Sequence, residues 1–286
     1  MGAIIKSIAI VMNRSGKSYM ETGAEAVRNC LKGEPMGPDG LDMLINTGIY
    51  PDNHLQEPAF ASLLQGNQPA AIHGLMEKTF SFDLQSGEGV VMALSVLNGF
   101  LESGKIERGM VVAGDVEPIQ GQSNQFNYVG HSGAVLVEKG GRNEGFSGFH
   151  QDIYPQFIKD YHSYSNYVDN ELKLIINQSD RYLDHCIQCA EESIENFLRK
   201  MGVDSKAIDL FISSQSPVGF SKHLAYQYGK HRLNLLHEEK EFYSAGLIMA
   251  LKRARLDQEN CETGQVMFVS VGPGITVNLA LYQNPA

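Results

Sequence analysis

The sequence predicts a layered α/β protein built from two halves related by a pseudo-twofold. The same order of helical and strand-like segments occurs twice, the apolar runs are short and bounded by glycine or proline, and those runs alternate with helical periodicity. At 286 residues the chain is long for one small core and suits two packed halves of similar size. The expected organisation is a first half over 1–140, a connecting excursion over 141–177 and a second half over 178–286.

The elements follow in order. Ile4–Met12 is apolar and of strand length, with no small-residue cleavage pattern after it, and is expected to open a cytoplasmic protein. Ala24, Val27, Cys30 and Leu31 then mark a helix, Leu41–Ile45 a strand, and Ala61, Leu63 and Leu64 a second helix closing at Gly66. The second half repeats this with Cys189, Ile194, Phe197 and Leu198, then Ile208–Ile212, then a helical run from Phe220 through Tyr228. Gly89–Leu101 and Ser244–Arg255 are Ala/Leu-rich helices followed by the strands Met110–Gly114 and Val266–Val269. Ala134–Glu138 and Ile275–Tyr282 close the two halves. Strands alternating with helices imply crossover connections and largely parallel pairing. Gly141–Asn177, rich in Tyr, Asn, Ser and Asp, matches neither half.

Composition narrows the function classes. Hydrophobic residues make up 43% and charged residues 20%, as in a globular protein, and the formal net charge of −10 argues against nucleic acid and anionic membranes as partners. No apolar run approaches the ~20 residues of a membrane helix. Lys252, Arg253 and Arg255 are read as a solvated helix face. Cys186 and Cys189 form a Cys-x-x-Cys inside a helical pattern, which is read as packing because metal-binding pairs sit in turns and come with a second pair. Gly16-Lys17-Ser18 lacks the earlier glycine of a phosphate loop and is read as an ordinary loop. The sequence calls for no metal and no cofactor.

Several motifs, in this order, resemble the thiolase superfamily and within it ketoacyl-acyl-carrier-protein synthase III. Phe82-Asp83-Leu84, Gly89 and Ala93-Leu94 resemble that family's strand, nucleophile turn and buried helix. Gly130-His131-Ser132-Gly133-Ala134 is similar to its Gly-Asp-Gly-Ala-Gly-Ala, and Gly272-Pro273-Gly274 to its terminal glycine triplet. The resemblance implies a thiolase fold in αβαβα layers. It also implies a Cys-His-Asn triad: a cysteine acylated at a helix N-terminus, and a histidine and asparagine that polarise the thioester carbonyl. The positions that match carry Gly87, Ser214 and Glu241 (or Phe242) instead, so the triad is expected to be replaced. The segment that helps hold coenzyme A in the family is absent after Asn13–Lys17.

If the chain retains chemistry, Ser86 is the candidate nucleophile, with Glu88, His131 or Glu241 as its base. The plainer expectation is that Ser86 caps the helix and Glu88 sits favourably in its first turn. Gly272 and Gly274 are either a relic oxyanion turn or tight packing, and packing is favoured. Three functions follow: a non-catalytic subunit paired with an active ketosynthase, an acyltransferase or thioester hydrolase using Ser86, and a homodimeric acyl-chain binding protein. The partners implied are a second copy or an active ketosynthase, together with an acyl carrier protein or an acyl thioester. The resemblance further implies dimerisation through the strand after the nucleophile helix, Met110–Asp115, which is expected to be an unpaired edge open to association.

Overall fold

The computed structural model describes residues 2–12, 17–35, 37–50, 59–66, 79–84, 86, 88–116, 130–228, 232–233, 242–257 and 264–285. Its first half runs β1 (Ala3–Met12), α1 (Tyr19–Leu31), β2 (Met43–Asn46), α2 (Phe60–Gln65), β3 (Phe80–Asp83), α3 (Gly89–Glu102), β4 (Arg108–Asp115) and β5 (His131–Lys139). Then come β6 (Gly145–Ile153) and a separate hairpin of β7 (Tyr161–Val168) and β8 (Glu171–Gln178). The rest is α4 (Tyr182–Met201), β9 (Leu210–Ser213), α5 (Phe220–Gln227), β10 (Arg232–Leu233), α6 (Gly246–Asp257), β11 (Gln265–Gly272) and β12 (Thr276–Gln283).

Local chemistry sets these elements. Ser18 opens α1 with a reciprocal cap: its hydroxyl accepts from the Glu21 N–H at 3.1 Å, and the Glu21 carboxylate accepts from the Ser18 N–H at 2.9 Å. That bonding holds the Glu21 carboxyl below its ordinary pKa. Helix α4 carries one apolar stripe, with Cys186, Cys189, Ile194 and Phe197 buried, and stops at Gly202 in the left-handed region (φ 67°). The two cysteines therefore pack in a core. Helix α2 has no cap of its own; Asp83 supplies one, accepting from the Phe60 and Ala61 N–H groups at 2.7 and 2.8 Å.

The two sheets run β1-β5-β4-β2-β3 and β6-β12-β11-β9-β10, the same order of equivalent strands. The chain forms five layers. Helices α1 and α2 cover the outer face of the first sheet around Val27, Leu44 and Met110. Helices α3 and α6 lie between the sheets in a shared core with Ile45, Val111, Ile212 and Phe268. Helices α4 and α5 cover the second sheet around Phe197, Phe211 and Leu279. The duplication extends to irregularities. The β1–β5 ladder slips at Lys6, between Ile5 and Ser7, and the β6–β12 ladder slips at Ser147, opposite Leu281/Tyr282.

Four expectations change. Gly145–Ile153, placed in the excursion, is the edge strand of the second sheet and corresponds to β1, so only the segment after Ile153 belongs to neither five-stranded sheet. The pairing is mixed rather than largely parallel: β4–β5, β1–β5, β11–β12 and β6–β12 are antiparallel. Met110–Asp115 is not an edge, because β4 is paired with β5 on one side and β2 on the other. The first sheet instead ends at β3, whose described pairing is with β2 alone and whose Phe80 is 61% exposed. Finally, the basic run of α6 is only in part a solvated face: Arg253 and Arg255 are exposed, while Lys252 is half-buried and both Lys252 and Arg255 are tied to β1. These two reach across from α6 and donate to the Ile8 and Ile5 carbonyls of β1 at 3.0 and 2.9 Å.

One carboxyl joins the halves. Asp115, fully buried at the end of β4, accepts from the N–H groups of Ile49 (3.1 Å), Tyr50 (3.0 Å) and Ser244 (2.7 Å). It thereby pins the loop after β2 and the approach to α6. Asp115→Ala orphans all three donors, and at ~1–3 kcal/mol for each buried group the expected loss is about 3 kcal/mol or more in a urea titration. Asp115→Asn, which keeps one carbonyl oxygen for Ile49 and Tyr50, is expected to lose markedly less.

Candidate functional site

The site gathers where the N-terminus of α3 meets the end of β11 in the central layer. Gly89 is required at the helix start, since a Cβ there would come within 2.9 Å of the Thr47 Cβ. Its N–H donates to the Ser86 carbonyl at 2.9 Å, closing the turn. Across from it, β11 ends in Gly272-Pro273-Gly274, with Gly274 in the left-handed region (φ 76°).

Glu88 dominates this junction. It is only 7% exposed, and a Cβ built on Gly272 would run into its Oε2, so the carboxyl fills the space over that glycine. The Ser270 hydroxyl donates to the Glu88 main-chain carbonyl at 3.4 Å. Burial pushes the Glu88 carboxyl up to about 7, against the weaker opposing pull of a hydrogen bond from the Ser86 hydroxyl. Ser86 was expected to cap α3. The N-cap position belongs instead to Glu88, whose side chain makes no cap bond, and Ser86 contributes a carbonyl to the turn and a hydroxyl to Glu88.

Ser214, just after β9, comes to the same place. Its hydroxyl accepts from the Val271 N–H and donates to the Ser216 carbonyl, both at 3.3 Å. Gln215 beside it donates to the Ser213 carbonyl at 2.7 Å and pairs through its backbone with Phe242. His131, at the start of β5, is fully buried and meets the Phe242 ring edge-on with centroids 4.9 Å apart. The structure thus brings together Ser86, Glu88, Ser214 and Gly272, and links His131 to them through Phe242. Gly87 and Glu241 lie outside the described residues, as do Gly16 and Cys261. Among the described cysteines, burial pushes Cys30 up to about 11 and Cys189 to about 12, which keeps both as unreactive thiols. No group of side chains among the described residues could hold a metal ion.

Sequence reasoning gave no role to Asp115 or Asp83. Each is an acid ending an apolar strand, and that signal could have marked them as acceptors for loop N–H groups. Nor did it foresee the contact between Glu88 and Gly272, which joins residues far apart in the chain.

The arrangement can be set beside known proteins. No protein-family model matches the chain. Over 224 residues it is 23% identical to the β-ketoacyl-[acyl-carrier-protein] synthase III of Streptococcus mutans, a match spanning 74% of this chain and 66% of that protein. Its fold superposes on 3-oxoacyl-[acyl-carrier-protein] synthase III of Aquifex aeolicus with a TM-score of 0.82 at 16% identity, over 99% of this chain and 100% of that one. The corresponding synthase of Pseudomonas aeruginosa gives 0.81 at 12%, over 100% and 99%. Xanthomonas campestris OleA, solved with lauric acid and lauroyl-CoA, gives 0.77 at 12%, over 99% of each chain. The chain is therefore a thiolase-fold protein. Within that fold it resembles ketoacyl synthase III.

The buried carboxyl sets a pH dependence. In the folded chain Glu88 keeps its proton up to about pH 7, whereas unfolded it ionises near the ordinary 4.5. Between those values the unfolded chain binds fewer protons, so stability falls as pH rises through that window and is level below it. The full loss is on the order of 3 kcal/mol. Glu88→Gln is therefore expected to match the parent near pH 4.5 and to exceed it at pH 8 in urea titrations.

Proposed function

We propose that this chain is a non-catalytic ketoacyl synthase III-like subunit that acts beside an active ketosynthase in fatty-acid, polyketide or related secondary-metabolite biosynthesis. The observation that carries this reading is the Glu88 carboxyl seated over Gly272. Acyl transfer needs open hydrogen-bond donors where negative charge develops on the carbonyl oxygen. Here that space holds an acid of the chain itself, which blocks a thioester and, once ionised, repels an oxyanion. The Ser214 hydroxyl is engaged with main-chain groups on both sides and has no free role as a carbonyl polariser. The resemblance supports the same reading, since it puts Gly87 at the nucleophile position and Glu241 or Phe242 at that of the asparagine.

A partner has a natural place to dock. Strand β3 ends the first sheet with Phe80 exposed, so a second chain's strand can extend the sheet there. On this reading the partner is an active ketosynthase, with a second copy of this chain as the competing occupant. A second reading, acyl transfer or thioester hydrolysis through Ser86, is favoured by one observation: Ser86 bonds a carboxyl whose pKa sits near neutrality, as a serine and its base require.

Co-expression with a ketosynthase is expected to give one co-eluting complex that Phe80→Lys breaks apart. If the proteins elute separately and the ketosynthase works as well alone, the subunit reading is lost. Incubation with acyl thioesters is expected to leave the mass of the chain unchanged and to release no free thiol. A covalent adduct that disappears in Ser86→Ala would instead establish the enzyme reading.

A further inference from the structure

The duplication exposes a second site, one and two turns further along α3. The same separation relates Gly89 to Gly246 at the helix starts and Arg108 to Gln265 at the next strands, so α3–β4 and α6–β11 correspond without insertion. Each helix packs on the other half's sheet near its edge: α6 lies over β5 and β1, and α3 lies over β12, with β6 beyond it at the edge. The two grooves are equivalent, but they are filled differently.

Under α6 the groove is closed. Gly133 lies at its floor, and the side chains of Ile10 and Ile248 crowd it so closely that an added Cβ would meet them at 2.9 and 3.0 Å. Lys252 lies across the groove and bonds the Ile8 carbonyl at 3.0 Å. Under α3 every one of these plugs has changed. Val91 stands for Ile248, Ser95 for Lys252, Gln151 for Ile10 and Asn278 for Gly133, with Asn278 paired to Gln151 as Gly133 is to Ile10. A cavity of about 180 Å³ remains, lined by Val91, Met92, Ser95, Phe149, Gln151 and Asn278.

Its floor is polar and unanswered. Asn278 is only 3% exposed, and its Nδ2 finds no partner among the described residues. In β12, Ala280 and Tyr282 share its face and belong to the central core, so the Asn278 side chain points toward α3. His150 contributes only backbone, because its ring stacks on Phe197 on the opposite face of the sheet. Among the described residues no charged side chain therefore lines the space, and an ion entering it would lose its hydration without a counter-charge from them. Leaving a buried amide donor unpaired is costly, and a bound acceptor would recover that cost.

We propose that this cavity is a binding site for a small uncharged carbonyl compound. Its oxygen accepts from Asn278 Nδ2, which is covered in the free chain and is reached when the Asn278 amide turns toward the cavity, and its apolar body lies against Val91, Met92 and Phe149. The size is that of a fragment: an apolar cavity of ~150 Å³ holds benzene, and drug-sized pockets begin near ~300 Å³. The site is separate from the Glu88–Gly272 junction and does not depend on the subunit reading.

Benzamide is the probe, used on the full chain by ligand-observed NMR with benzoate and toluene as comparators. Benzamide is expected to bind at least tenfold more tightly than either. Ser95→Lys, which restores the plug present under α6 at a half-buried helix position, is expected to weaken benzamide at least tenfold while leaving the melting temperature within a few degrees. Asn278→Leu is expected to abolish the preference for benzamide over toluene. No benzamide binding, a preference for benzoate, or binding indifferent to both substitutions would overturn the proposal.

Discussion

Two helices packed between two sheets leave the middle of this molecule without a face turned to water. Any polar group there must find its partner inside the protein, and often in the other half. Asp115 is the clearest instance, gathering N–H groups from the loop after β2 and from the approach to α6. The Tyr282 hydroxyl accepts the Ile5 N–H at 3.1 Å, and Asn98 accepts that of Ala3 at 2.7 Å, tying β1 to β12 of the second sheet and to α3 of the central layer. Hydrogen bonds of this kind add little net stability individually, but leaving one unmade is costly, so the halves are held in register as much by satisfaction as by apolar contact.

Glu88 stands out against that rule. An acid in a water-excluded layer is tolerable chiefly as the neutral form, and its raised pKa records the cost. A group retained at such a cost shapes what the junction can do, whether by occupying the Gly272 turn or by serving Ser86. The two readings differ in which oxygen atoms are free to act, and the fold is indifferent to the choice.

Much of the architecture was legible in the sequence because glycine-bounded apolar runs recur in the same order. Strand β6 was not: Gly145–Ile153 lies at an edge with half its residues polar or exposed, so it lacks the buried-strand signature of its counterpart β1. Parallel pairing was over-read because strands buried on both faces lose the alternation that marks antiparallel ladders; β4 is buried along its whole length. That same continuous burial was a sign that Met110–Asp115 is interior. At the site, Ser214 and the Gly272 turn were placed by resemblance, and they do converge. The seating of Glu88 was invisible because it depends on two loops meeting across the central layer. The basic residues of α6 were read only in part: Arg253 and Arg255 are exposed as their charge suggested, but long stems also let Lys252 and Arg255 reach carbonyls of the neighbouring sheet.

The paired slips at Lys6 and Ser147 carry a consequence of their own. Ala3 and Ile5 face the central layer, and so do Ile8 and Ile10, although strict alternation would place these two pairs on opposite sides. The extra residue resets the phase, and Lys6 is left to meet Glu138 at the surface. In β6 the same device lets Phe146 and Phe149 point inward together. Each slip therefore fixes the length of its strand on either side. Removing the slip residue itself would restore plain alternation and keep the apolar set inward, whereas losing a residue elsewhere in the strand would send part of that set into the wrong layer.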